Sequence, residues 1–119
     1  MQRSRYFRID WVLVDQLAIG PAPRAERHLE RLHEAGIRCV LSLCSLEEAT
    51  PPAGLREEFR SRRYVLPDHR TGRLPTLDEL NKSLSHLAEL QQHGPVFVHC
   101  VAAMERSPLV CLAWLVRQH

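Results

Sequence analysis

The sequence predicts an α/β fold: a central, mostly parallel sheet of four to five strands flanked by helices, with a loop between a buried strand and a buried helix near its end. Short apolar runs alternate along the chain with segments of helical periodicity. Residues 37–43 (IRCVLSL) are apolar with little alternation, as in a strand covered on both faces. The last strand passes through a polar loop straight into another apolar segment. At 119 residues the chain is long enough for one core, so residues 1–119 are read as a single domain.

The elements follow in order. Residues 7–14 and 17–20 read as two strands that turn near Asp15 and Gln16 and close at Gly20 and Pro21. Residues 24–35 carry Ala25, Leu29 and Leu32 at helical spacing, with Gly36 as the stop. After the 37–43 strand, Pro51, Pro52 and Gly54 mark a loop, and residues 55–62 read as a short helix whose arginines face solvent. Tyr64 to Leu66 is a third apolar run, ended by Pro67, and residues 67–75 (PDHRTGRLP) read as a surface loop. Thr76 and Glu79 form a capping box ahead of the stripe Leu77, Leu80, Leu84 and Leu87, so residues 76–92 are the clearest helix. Gly94 and Pro95 end it, residues 96–98 form a short buried strand, and residues 108–116 read as a helix apolar all round.

Composition excludes several roles. The chain is 45% hydrophobic and 25% charged, an ordinary globular balance, and a formal charge of +2 argues against a nucleic-acid partner. No run reaches the roughly 20 apolar residues of a membrane span, and the basic N-terminus lacks a signal-peptide core, so a cytoplasmic location is expected. The cysteines, Cys39, Cys44, Cys100 and Cys111, have neither the spacing of a disulfide framework nor that of a zinc site, and no metal or cofactor is implied. Cys39 and Cys111 fall inside apolar elements and read as core, and His28, His33, His86 and His93 read as surface residues.

The chemistry sits in the loop His99-Cys100-Val101-Ala102-Ala103-Met104-Glu105-Arg106-Ser107. A thiol at the carboxyl end of a strand, where the loop curls into a helix, meets unpaired backbone N–H groups, and these with a nearby cation lower its pKa. Val101 to Glu105 supply the backbone of such a cradle, and Arg106 adds a guanidinium that grips two phosphate oxygens at once.

His-Cys-x5-Arg-Ser between an apolar strand and an apolar helix resembles the signature of the protein tyrosine and dual-specificity phosphatases. The resemblance covers the strand pair, first helix, IRCVLSL strand, acid loop, long helix and signature loop. It implies Cys100 as a nucleophile forming phosphocysteine, Arg106 as the phosphoryl clamp, Ser107 as an aid to the leaving thiolate and His99 as a support for the loop and the low thiol pKa. It implies Asp68, on the loop before the long helix, as the proton donor, with Asp78 explained instead as a helix-dipole partner. His69, Arg70 and Arg73 flank that acid and read as solvated. A cysteine placed like Cys44 forms a disulfide with the nucleophile in one branch of the family, so Cys44 has two readings, a redox partner of Cys100 or a small core residue. The expected partners are phosphorylated proteins or small phosphomonoesters, with no membrane. Two alternatives use the same residues: a phosphate-binding module with little turnover, and oxyanion redox chemistry such as arsenate reduction. The family most often has Gly where this chain has Ala103, and a positive φ there would strain the loop.

Overall fold

The structure, a computed structural model, describes residues 6–118. Its strands are β1 (Asp10–Leu13), β2 (Leu17–Gly20), β3 (Cys39–Ser42), β4 (Arg60–Arg63) and β5 (Val96–His99), in the spatial order β1-β2-β5-β3-β4. β1 and β2 form an antiparallel hairpin, while every other neighbouring pair is parallel. The mostly parallel sheet is therefore present, with its one antiparallel strand at an edge.

Alternation along the strands divides the core into two layers. Leu17, Cys39, Leu41, Val96 and Val98 face helices α3 (Leu77–Gln91) and α4 (Arg106–Gln118), packing on Leu84, Leu87, Leu90, Val110 and Trp114. Ala18, Val40 and Phe97 face helices α1 (Glu26–Glu34) and α2 (Gly54–Glu58), meeting Leu29, Leu32 and Leu55. Each fully buried leucine contributes about 2 kcal/mol of apolar transfer, so the sheet is held from both sides. Gly20 ends β2 against the Phe97 ring and the Arg8 carbonyl, where any side chain would collide. That close approach keeps β2 seated beside β5.

The long helix forms as expected. Thr76 Oγ1 accepts from Glu79 N–H at 3.1 Å, and Glu79 Oε1 accepts from Thr76 N–H at 2.8 Å. Gly36, with φ of 87°, follows α1 as the expected stop.

Other expectations are corrected. The helix expected over residues 55–62 stops at Glu58, and residues 60–63 are the edge strand β4. Helical propensity lost to pairing with β3, and the arginines of β4 occupy an edge where charge discourages further strands. Tyr64 to Leu66 lie just beyond β4, with Leu66 N–H bonded to the Leu43 carbonyl at 3.1 Å. The first strand is shorter than expected because Phe7 turns away to pack under α1. His28 is not a surface residue: it stacks on Phe7 at 4.5 Å, and its Nδ1 accepts from the N–H groups of Arg24 and Ala25. It thereby caps α1, which starts at Glu26 rather than residue 24. Helix α4 starts at Arg106 and is one-sided, for Leu112 and Val116 are 60% and 70% exposed. It is an outer layer over the sheet, so only one of its faces meets the core. No helix among the described residues is long and apolar enough to cross a membrane.

Candidate active site

The carboxyl ends of β3 and β5 lie side by side, with Ser42 opposite His99 in register. Open α/β sheets place ligands at this edge. The Ser42 hydroxyl donates to His99 Nε2 at 2.7 Å, and His99 Nδ1–H donates to the Cys100 carbonyl at 3.0 Å. Burial, with the charges of Arg63, Arg106 and Arg24, pulls the His99 pKa down to about 4, against the hydrogen bond to Cys100. The ring is therefore neutral near pH 7, and it supports the loop by geometry rather than by charge.

Cys100 follows at the floor of the loop, almost fully buried. Burial alone would raise its thiol. The Ser107 hydroxyl and the backbone N–H groups of Ser107, Glu105 and Ala103 outweigh burial and bring the pKa below its ordinary value. Ser107 Oγ is itself buried without another regular hydrogen bond, which leaves its proton for the sulfur. Ala103 adopts φ of 63°, the left-handed conformation that glycine takes freely. The loop therefore closes into a cradle even with alanine there.

Arg106 opens α4 and points back over the cradle, 4% exposed. Its Nη2 bonds Glu48 Oε1 at 2.8 Å, and its Nη1 reaches Glu48 Oε2 at 3.2 Å and the Leu66 carbonyl at 3.1 Å. Nε–H is buried with no partner, a donor left for a ligand. Glu48 is the residue that sequence reasoning missed. The Arg106 guanidinium, aided by Ser45 and opposed by burial, pulls its pKa down to about 2. A signal was available in Ser45-Leu46-Glu47-Glu48: Ser45 Oγ accepts from Glu48 N–H at 3.1 Å, and Glu48 Oε2 accepts from Ser45 N–H at 3.0 Å. This S-x-x-E box follows β3, at the same sheet edge as the signature loop.

Asp68 is buried beside this pair, and the structure brings it to the cradle. Its Oδ2 accepts from Arg70 Nε at 2.8 Å and lies 3.8 Å from Arg106 Nη2. The Arg70 side chain, against the effect of burial, holds the Asp68 carboxyl below the usual carboxylate range. Arg70 also reaches Glu48 at 2.7 Å, so it is solvated as expected, with its side chain 61% exposed, and at the same time paired with both acids of the cluster. Arg73 pairs with Glu79 instead, away from the acid. His69 Nδ1 meets Glu105 Oε1 at 2.9 Å and ties the acid loop to the cradle.

Together these residues line a cleft of about 600 Å³, with Cys100 at its base, Met104 and Glu105 at its rim, and Asp68, Arg70 and Glu48 along one wall. Val101 and Ala102 form part of the opposite side. Cys44 is buried with Ala22, Ala49 and Val101, and burial raises its thiol. Cys111 packs in the same apolar layer as Cys100, and burial together with the Cys100 charge pushes its thiol up to about 12. Among the described residues no group of three or more His, Cys, Asp or Glu side chains is arranged to hold a metal ion.

No protein-family model and no curated protein sequence matches the chain. Solved structures do. The chain is similar to Tk-PTP in the active form, with 22% identity and a TM-score of 0.75 over 100% of this chain and 76% of that one. It is similar to kinase associated phosphatase carrying a serine for its catalytic cysteine, with 18% identity and a TM-score of 0.72 over 93% and 74% of the two chains. A third similar structure is PTPMT1 in complex with PI(5)P, with 22% identity and a TM-score of 0.70 over 87% and 69%. Sheet order, helix layers and these likenesses agree, and the chain has the fold of the cysteine-dependent protein tyrosine and dual-specificity phosphatases.

Proposed function

We propose that the chain is a cysteine-dependent phosphatase that hydrolyses phosphomonoesters, in particular those of phosphoproteins, through a phosphocysteine intermediate. The observation that carries this reading is the placement of Cys100, hydrogen-bonded by the Ser107 hydroxyl and three backbone N–H groups that act to lower its thiol pKa, in a cleft shared with Arg106 and Asp68. In the first step the Cys100 thiolate attacks phosphorus, the S–P bond forms, and the P–O bond to the leaving group breaks. Arg106 binds the equatorial oxygens with Nε–H and the free edge of Nη2, while Asp68 gives its proton to the departing oxygen. In the second step water attacks phosphorus, Asp68 takes a proton from that water, and the thiolate leaves with Ser107 hydrogen-bonded to it. Val101, Ala102, Ala103, Met104 and Glu105 supply the backbone that surrounds the phosphoryl group.

Arg70 keeps Asp68 ionised in the resting site, so the acid is armed only when a proton is gained. An incoming phosphate dianion competes with Asp68 and Glu48 for Arg70 and Arg106, which releases the carboxyl to take that proton. A Cys44–Cys100 disulfide after mild peroxide belongs to the same proposal, the two thiols reducing peroxide to water. Mass spectrometry finding Cys100 joined to Cys111, or to neither, would remove Cys44 from this role.

The test is hydrolysis of para-nitrophenyl phosphate in reductant and EDTA by wild type and by Cys100→Ser. Turnover in the wild type and none in the variant is expected. A folded wild type that binds vanadate without turnover would instead favour the phosphate-binding module.

A further inference from the structure

On the other side of the cradle lies a second pocket, of about 570 Å³. Val101 and Ala102 line both it and the catalytic cleft, so the two are separated by a ridge of the signature loop. The ridge is fixed in place, for Ala22 N–H donates to the Val101 carbonyl at 3.1 Å. The inner wall is rigid and apolar: Phe7 is stacked on buried His28, with Pro21 and Ala22 beside them.

The rim is cationic. Arg24 and Arg27 both border the pocket and both are exposed. Neither side chain makes a hydrogen bond or an ion pair among the described residues. The arginines on the acid side differ, since Arg70, Arg73 and Arg106 are each paired with carboxylates. His28 anchors the backbone of Arg24 through Nδ1 and is held neutral by burial and by the neighbouring arginines, so the charge of the rim is guanidinium charge. The Arg24 charge also reaches His99 behind the loop. The site is thus asymmetric, with matched acids and bases on one side of Cys100 and unmatched cations on the other.

Resting on the phosphatase reading above, we propose that this pocket is a specificity subsite for an acidic group, carboxylate or phosphoryl, on a phosphopeptide whose phosphorylated residue sits over Cys100. An extended peptide advances about 3.3 Å per residue, so a side chain one or two positions from the phosphorylated one crosses a ridge of two residues. Its stem lies on Phe7, Pro21 and Ala22 while its anionic end meets Arg24 and Arg27. The guanidinium fork suits carboxylate and phosphate alike.

The experiment compares kcat/KM for a phosphotyrosine peptide flanked by glutamates with that for the same peptide flanked by lysines, at low salt. Wild type should favour the glutamate peptide by at least about tenfold, with the ratio shrinking as salt screens the exposed charges. Arg24→Glu/Arg27→Glu, both at exposed positions, should reverse the order. Equal ratios in wild type and variant would overturn the proposal, as would a clear preference for a soluble inositol phosphate over both peptides. Fluorescence-polarisation binding of the same peptides to Cys100→Ser separates the two ideas. Charge-selective binding without turnover in the wild type keeps the subsite and removes the enzyme; turnover without charge selectivity does the reverse.

Discussion

Ala103 places its N–H against the Cys100 sulfur by adopting φ of 63°. Alanine reaches the conformation that glycine would take, so its cost falls on stability and not on the shape of the cradle. Replacing it with glycine relieves about 1 kcal/mol of backbone strain. Ala103→Gly should therefore raise the unfolding free energy by about that amount in urea titrations while vanadate affinity changes less than about threefold. A large gain in vanadate affinity without added stability would mean that alanine distorts the cradle. Glu48 poses the opposite case. Glu48→Gln keeps the shape and an acceptor for Arg106 but removes the charge that holds the guanidinium over Cys100. A loss of about 2 kcal/mol of stability, together with a fall in kcat for para-nitrophenyl phosphate, is the expected outcome. An unchanged kcat would show that Arg106 keeps its place through the Leu43 and Leu66 carbonyls alone.

Between residues and the whole fold, legibility in the sequence followed periodicity. The α3 stripe and the β3 run were readable because packing and pattern agree there, and the His-Cys-x5-Arg-Ser loop because its residue types sit at one strand end. Arg60 to Arg63 were not readable as β4, since an edge strand takes its structure from pairing with β3 and not from apolar content. Glu48 escaped because its chemistry comes from a contact with Arg106, 58 positions along the chain. The one-sided burial of α4 likewise depends on what lies beside it. The acid loop joins both levels. His69 pins it to Glu105, and Arg70 pins Asp68 in the ionised form. In Arg70→Ala the Asp68 pKa rises, so the basic limb of the kcat/KM profile, where the acid loses its proton, should move to higher pH. A limb that stays in place would assign it to a group other than Asp68.

At the scale of the molecule, the central strands carry a titration that couples fold to site. His99 ends β5 and is fully buried as the neutral ring, with a folded pKa of about 4 against an ordinary 6.5. The unfolded chain takes up the proton first as pH falls. Its contribution to stability is therefore complete above pH 6.5 and is lost progressively as pH falls from there towards 4. Between pH 7.5 and 5 the loss amounts to about 2 kcal/mol. His28, also held neutral by burial and by its arginine neighbours, acts in the same direction. Glu48 and Asp68 act lower: their depressed values hold stability above the ordinary carboxylate range and release it as pH falls further, for Glu48 towards about 2. The proposed acid, Asp68, therefore gains its proton in the unliganded fold only below the ordinary carboxylate range, after the His99 contribution to stability has been lost. Urea midpoints measured from pH 7.5 to 5 should fall in wild type. In His99→Asn, already weaker at pH 7.5 because the Ser42 and Cys100 hydrogen bonds are compromised, they should be distinctly flatter. An equally steep fall in both proteins would move the titration to His28 and leave β5 indifferent to pH.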